Sequence, residues 1–308
     1  MKPTVVILLS DKRSGSTMFE RELCKHPDIN HVTYTPHSYN ETHHWNKAAC
    51  LLEQGSRAST DSNCRGYGSK TGARQYLIDC IVGNIPNFTA SQNDEGLVYD
   101  GWKALCQKFA KPVFFEKSPQ LIHNLCALEL LLKWHEKTEF NVRFIGLVRN
   151  PMAVMYSAQK LFGTDPVERQ HGWADSCSNL DKFEERIGSE KFLLVKYEDL
   201  VDEPVRAFGE ICSFIGVNPV GEIGKDVHSR SADAWKSAKN FTLHLDEKVA
   251  AVAKAYGYSD EELANPDKPV PSVFQEFWHG MVNKSRLARS RMVDWYLKPL
   301  YLRFIKRK

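Results

Sequence analysis

Four short runs along the chain are almost continuously apolar: "TVVILL" (4–9), "PVFFEK" (112–117), "VRFIGLVR" (142–149) and "KFLLVKY" (191–197). None alternates apolar and polar positions as a half-exposed strand would. β-Branched and aromatic residues fill consecutive positions instead, the pattern of strands covered on both faces. A segment of helical character follows each run, with apolar residues every three or four positions as in "LIHNLCALELLL". This alternation predicts an α/β fold, a three-layer sandwich in which a central parallel sheet is flanked by helices. Between the first two runs, roughly 34 to 110, the periodicity is broken by "GSRASTDSNCRGYGSKTGARQ" and "GNIPNFTASQNDEG". In open parallel sheets such insertions cap the ligand site at the carboxyl ends of the strands. From 275 to 308 the pattern becomes that of one or two amphipathic helices, aromatic and Leu positions on one face and Arg/Lys on the other. There are no internal repeats.

At 308 residues and 42% hydrophobic, the chain can bury one large core, and a single domain spanning 1–308 is the reading adopted. The net charge of +3 belongs to the tail, where nine Lys and Arg face only Glu276 and Asp294. The remainder is slightly acidic, so no basic surface for nucleic acid is expected. The tail, with Trp278, Trp295 and Tyr296, is compatible with peripheral contact to an anionic membrane. Packing on the sheet with a solvated basic face is the preferred reading. Eight cysteines occur without a CxxC pair, several of them (Cys126 for example) inside apolar helical patterns, which predicts reduced, buried thiols. No segment has the length of a transmembrane helix, and 4–9 is too short for a signal-peptide core. A cytoplasmic location is expected, with the sequons at Asn40, Asn87, Asn240 and Asn283 as chance matches.

The turn after the first run, "DKRSGSTM", holds the first candidate chemistry. A turn of small residues that opens a helix aims unpaired backbone N–H groups at one point, where the helix dipole also favours negative charge. Gly15 permits close approach, Ser14, Ser16 and Thr17 add hydroxyls, and Lys12 and Arg13 add positive charge. Alone, the stretch is equally an ordinary turn with a serine cap. It is not a Walker A loop, because GxxxxGK[ST] is absent. A second constellation decides between these readings. In "RNPMAVMYS", Arg149 ends a buried strand, Asn150 and Pro151 start a helix, and Ser157 lies two turns in, so both face the crevice and predict a second anion site.

Together these elements resemble the two phosphate-binding elements of the PAPS-dependent sulfotransferases, "KRSGST" the 5′-phosphosulfate loop and "RNPMAVMYS" the 3′-phosphate strand and helix. The resemblance extends to "CKHPDI", "FFEKSP" and "VKYEDLVDEPVRAFGEICSFIGV", covers about residues 4 to 217, and is nearer the carbohydrate and tyrosyl-protein branches. It implies a P-loop-like fold, PAPS as donor and PAP as product, no metal, and sulfuryl transfer to a hydroxyl, less readily an amine, of a glycan or small-molecule acceptor. It implies that Arg13, Ser14, Gly15, Ser16 and Thr17 hold the 5′ end, that Arg149 and Ser157 hold the 3′-phosphate, and that Tyr197 lines the pocket. In "SADAWKSAKNF" it implies late Ser/Lys contacts. Glu116 would be the base and Lys117 would contact the sulfuryl group. The rival source of the base is "TPHSYNETHHW", with Glu41 and His43 as candidates and Trp45 able to stack on a sugar ring. His43 and His44 are adjacent and must diverge, so no zinc site is expected there. Two other functions use the same strand-loop-helix logic: a P-loop nucleotide kinase, and a non-catalytic nucleotide- or glycan-binding module.

Overall fold

The four apolar runs are strands of one parallel sheet in a computed structural model that describes residues 2–37, 39–52, 69–239 and 241–264. They are β1 (Thr4–Ser10), β3 (Val113–Lys117), β4 (Asn141–Val148) and β5 (Phe192–Lys196), joined at the edge by β2 (Ile29–Asn30). The order is β2-β3-β1-β4-β5, every neighbouring pair parallel. At two residues, β2 is too short to show a period in the sequence.

The helices in chain order are α1 (Ser16–Leu23), α2 (His44–Leu52), α3 (Lys70–Asn84), α4 (Asp94–Phe109), α5 (Leu125–Lys137) and α6 (Pro151–Phe162). They continue with α7 (Pro166–Ile187), α8 (Tyr197–Asp202), α9 (Pro204–Ile215), α10 (Glu247–Ala255) and α11 (Asp260–Leu263). Successive strand residues face opposite sides, and this sorts the core. Val5, Ile7, Leu9, Phe114 and Phe144 pack with α2 to α7, whereas Val6, Leu8, Phe115, Ile145 and Leu147 pack with α1, α8 and α9. The three layers expected from the sequence are present.

Within 34–110 the described residues form α2, α3 and α4, which pack on one another and on the sheet. Trp45 does not face a ligand. It is buried against Trp102 and Trp134, at ring centroid distances of 5.4 and 5.9 Å, because the first turn of α2 lies against α4 and α5. His44 is likewise core: burial lowers its pKa to about 4, so it is neutral and donates from Nε2 to the Val98 carbonyl at 2.9 Å. The seven described cysteines are free thiols, and four are buried, but Cys126 is exposed because it falls on the outer face of α5. No described helix is long and apolar enough to cross a membrane. The basic tail from 275 and Cys64 lie outside the described residues.

Candidate active site

Strand order reverses at β1: the chain next adds β2 and β3 on one side and β4 and β5 on the other. Such a switch point opens a crevice at the carboxyl ends of the strands. β1 ends in a loop whose backbone is held in left-handed conformations, φ 73° at Arg13 and 98° at Gly15. Glycine is required at the second position, since a Cβ there would stand 2.4 Å from Cδ2 of Tyr197. Gly15 starts α1 with no side-chain cap, which leaves the first-turn N–H groups directed at the crevice. Arg13, a costlier residue for such a φ, has its carbonyl held by Arg149 Nη1 at 3.0 Å.

The β4 end is built with similar support. Asn150 caps α6 through Met152 N–H at 2.9 Å, Pro151 occupies the first turn, and Trp173 Nε1 donates to the Arg149 carbonyl at 3.0 Å. Glu198 accepts from Asn150 N–H at 3.0 Å and from the Tyr258 hydroxyl at 2.8 Å, which fixes α8 beside the strand end. Arg149 therefore emerges over the Tyr197 ring, its guanidinium carbon 4.3 Å from the centroid, and donates to the Ser231 carbonyl at 2.5 Å.

These elements enclose a cleft of about 560 Å³ lined by Arg13, Gly15, Ser16, Thr17, Arg149, Ser157 and Tyr197, joined by Ser231 and Ala234. Arg13 Nε donates to Ser157 Oγ at 3.0 Å, and Tyr197 Oη lies 2.6 Å from Ser231 Oγ. Burial lowers the pKa of both guanidinium groups, and the charge of Arg149 adds to the effect at Arg13. Two cations facing one cleft favour an anion between them.

Two predicted residues are placed otherwise. Lys12 does not line the cleft, its backbone N–H being tied to Asp11 Oδ1 at 2.7 Å. Ser14 is buried beneath the loop and its hydroxyl has no hydrogen-bond partner among the described residues. Of the late "SADAWKSAKNF" contacts, Ser231 reaches the cleft, whereas Lys236 pairs with Asp233 at 2.8 Å. Lys160, also lining, was missed. It sits three residues after Ser157 on α6, a same-face spacing that could have revealed it.

The acceptor-side candidates meet at the end of β3. Glu116 and Lys117 point to opposite faces, as consecutive strand residues must, and residues 41–43 cross over the strand end to touch both. Lys117 Nζ lies 3.2 Å from Glu41 Oε1, 3.3 Å from Glu20 and 3.3 Å from Thr17 Oγ1, which joins it to the cleft. Glu116 Oε1 accepts from Thr42 Oγ1 at 2.7 Å and Ser118 Oγ at 2.6 Å. Burial pushes its carboxyl above the usual range, against the opposing effect of those two hydroxyls. Burial would also raise Glu41, but the contact with His43, then Lys117 and His37, outweighs it and holds the carboxylate down at about 2.

Beneath the loop lies a cluster that sequence reasoning did not find. Asp11 accepts two hydrogen bonds from Arg169 Nη2 and lies 2.8 Å from His123 Nε2. Asp11 is more than a hundred residues from either partner in sequence, and no spacing announces the cluster.

The comparisons with known proteins agree with this geometry. The model of a sulfotransferase family matches residues 3–220. The sulfotransferase domain from the Synechococcus PCC 7002 olefin synthase is similar in structure, with a TM-score of 0.56 and 21% identity over 83% of this chain and 95% of that one. So is the sulfotransferase domain from the curacin biosynthetic pathway, with a TM-score of 0.55 and 20% identity over 83% and 98%. Among curated protein sequences none is a significant match. The fold is shared with those two domains, and with the family match running through both strand-loop-helix elements of the cleft, this chain belongs to the sulfotransferase family and is a sulfotransferase.

Proposed function

We propose that the protein transfers a sulfuryl group from PAPS to a hydroxyl of a glycan or small-molecule acceptor by in-line displacement, the transfer itself needing no metal. The observation that carries this reading is the single cleft in which the α1 N-terminus, Arg13, Arg149 and Ser157 converge at the sheet's switch point. The residues suit a nucleotide bisphosphate: they offer cations and hydroxyls at two neighbouring strand ends, and no carboxylate lines the cleft among the described residues to hold a magnesium ion. Bound PAPS would supply the sulfuryl group and a phosphate leaving group.

The chain's own residues divide the remaining work. Gly15, Ser16 and Thr17 would hold the 5′ end through α1 N–H groups and hydroxyls, and Arg13 would neutralise it. Arg149 and Ser157 would hold the 3′-phosphate while Tyr197 and Ser231 wall the cleft. Lys117, tied to Thr17, stands where the two halves of the site meet and would stabilise the charge on the transferring group. Glu116 would take the acceptor proton, its raised pKa bringing it nearer the range in which a carboxylate serves as a base. Glu41 is the poorer base at about 2, and holds Lys117 instead. The insertion 34–110 would shape the acceptor pocket, and the free thiols suit a cytoplasmic enzyme.

Calorimetric titration with adenosine 3′,5′-bisphosphate in EDTA tests the reading. Micromolar or tighter binding, weakened about 100-fold or more by Arg149→Ala through loss of a charged bidentate contact, is expected. Absence of binding without a metal would overturn it in favour of a kinase-like site.

A further inference from the structure

The acceptor-side loop brings together three donors whose chemistry the transfer reaction leaves unused. His43 and His44 diverge as adjacent residues must, and His44 enters the core, yet His37 arrives in its place. One ring nitrogen of His37, one of His43 and one oxygen of Glu41 lie within 4.8 Å of one another. Glu41 Oε2 is 3.6 Å from His37 Nδ1 and 3.2 Å from His43 Nε2.

The first of these distances is too long for a hydrogen bond. Both suit donors that share an ion, because zinc bonds of about 2.1 Å set tetrahedral ligand atoms about 3.4 Å apart. The two imidazole rings meet edge to face, with their centroids 4.7 Å apart. All three side chains are buried, and the backbone is bent to bring them there: His43 adopts φ 47°, with its N–H fixed by Ser118 Oγ at 3.0 Å. The Tyr76 hydroxyl, at 3.2 Å from the Glu41 carbonyl, holds the other end of the turn. His43 Nδ1 is buried without a hydrogen-bond partner among the described residues. Charge is compatible as well. Lys117 engages the opposite Glu41 oxygen, Oε1, and is itself balanced by Glu20.

We infer that His37 Nδ1, Glu41 Oε2 and His43 Nε2 form a binding site for a divalent transition ion of the zinc class. The two imidazoles are borderline donors, and beside one carboxylate they suit zinc or cobalt over magnesium or calcium. Three protein ligands are also the number at which zinc keeps a fourth position for water or a substrate oxygen. The ion would clamp His37, Glu41 and His43 together over the end of β3. This inference concerns the loop alone and does not rest on PAPS being the donor.

Cobalt(II) titration of the full-length, EDTA-stripped and desalted protein tests it, because cobalt reports its ligands in its absorption spectrum. One equivalent is expected to give visible d–d bands without the thiolate charge-transfer band that cysteine ligation would add, and zinc should displace it. His37→Ala and His43→Ala, each checked for wild-type melting in EDTA, should weaken binding by about 100-fold or more, while Cys126→Ser leaves it unchanged. Absence of d–d bands in the wild type, a thiolate band in the wild type, or bands that persist in both folded histidine variants would overturn the site. The wild-type spectrum decides the ligand class even if a variant fails to fold. Binding of adenosine 3′,5′-bisphosphate, measured in the same His37→Ala protein, should match the wild type, so failure of the metal site and failure of the nucleotide site are separate outcomes.

Discussion

Gly15 carries no side chain because two constraints act on it at once. Its φ of 98° is strained for any other residue, and the Tyr197 ring is 2.4 Å from where a Cβ would stand. Gly15→Ala must therefore move either the loop or the ring. A cost to stability of about 1–3 kcal/mol is expected, with affinity for adenosine 3′,5′-bisphosphate falling at least tenfold by calorimetry. Unchanged affinity would mean that the Tyr197 ring does not shape the cradle. Glu116 offers the opposite trade. Its raised carboxyl means that the charged form is disfavoured in the fold, a penalty absent below the unfolded pKa near 4.5 and complete above the folded value. Glu116→Gln removes the charge, so it should melt no lower than wild type at neutral pH while losing about 10²–10⁴ of the transfer rate. Wild-type turnover in that variant would take Glu116 out of the mechanism.

The loop after β1 is held at the scale of elements, by Asp11. Burial alone would raise its pKa, but the His123 hydrogen bond and the charge of Arg169 reverse the effect and hold it below the ordinary aspartate range. A depressed acid stabilises the fold above its unfolded pKa and loses that contribution as pH falls through the folded value. Melting should thus drop steeply below about pH 4, and less so in Asp11→Asn. That variant keeps an acceptor for the Lys12 N–H but gives up the pairing with Arg169, which joins the loop to α7. A loss of about 1–3 kcal/mol at neutral pH is expected. If the melting curves of the two proteins stay parallel from pH 7 to 3, the latch is not what the acid disrupts.

What the sequence disclosed follows the same division. The strands were legible because buried parallel strands are apolar on both faces, and the two anion turns because a strand, a small-residue turn and a helix are consecutive in the chain. Trp45 misled, since residue type alone cannot distinguish an aromatic that stacks on a ligand from one that fills the space between α2, α4 and α5. Asp11, His123 and Arg169 meet only through folding. The 37–43 cluster was half legible: the divergence of His43 and His44 holds, but the turn that returns His43 to His37 depends on a left-handed backbone that no local pattern specifies.

At the scale of the whole molecule the cleft joins both helical layers. α1 and Tyr197 belong to one layer, α6 to the other, and Ser231 and Ala234 close the cleft from a late segment of the chain. A ligand that touches all four resists opening of the sheet's switch point and should protect distant segments together. Adenosine 3′,5′-bisphosphate at a hundred times its dissociation constant adds about 2.7 kcal/mol to the folded state. For a chain of this size that corresponds to a rise in melting temperature of about 4 °C. The rise should be the same with EDTA present, because among the described residues no carboxylate lines the cleft to hold a metal. Amide exchange should slow together around residues 13–18, 149–161 and 231–234. Slowing confined to 13–18 would mean that only the first turn binds the nucleotide, and that the β4 and late-segment walls meet for structural reasons alone.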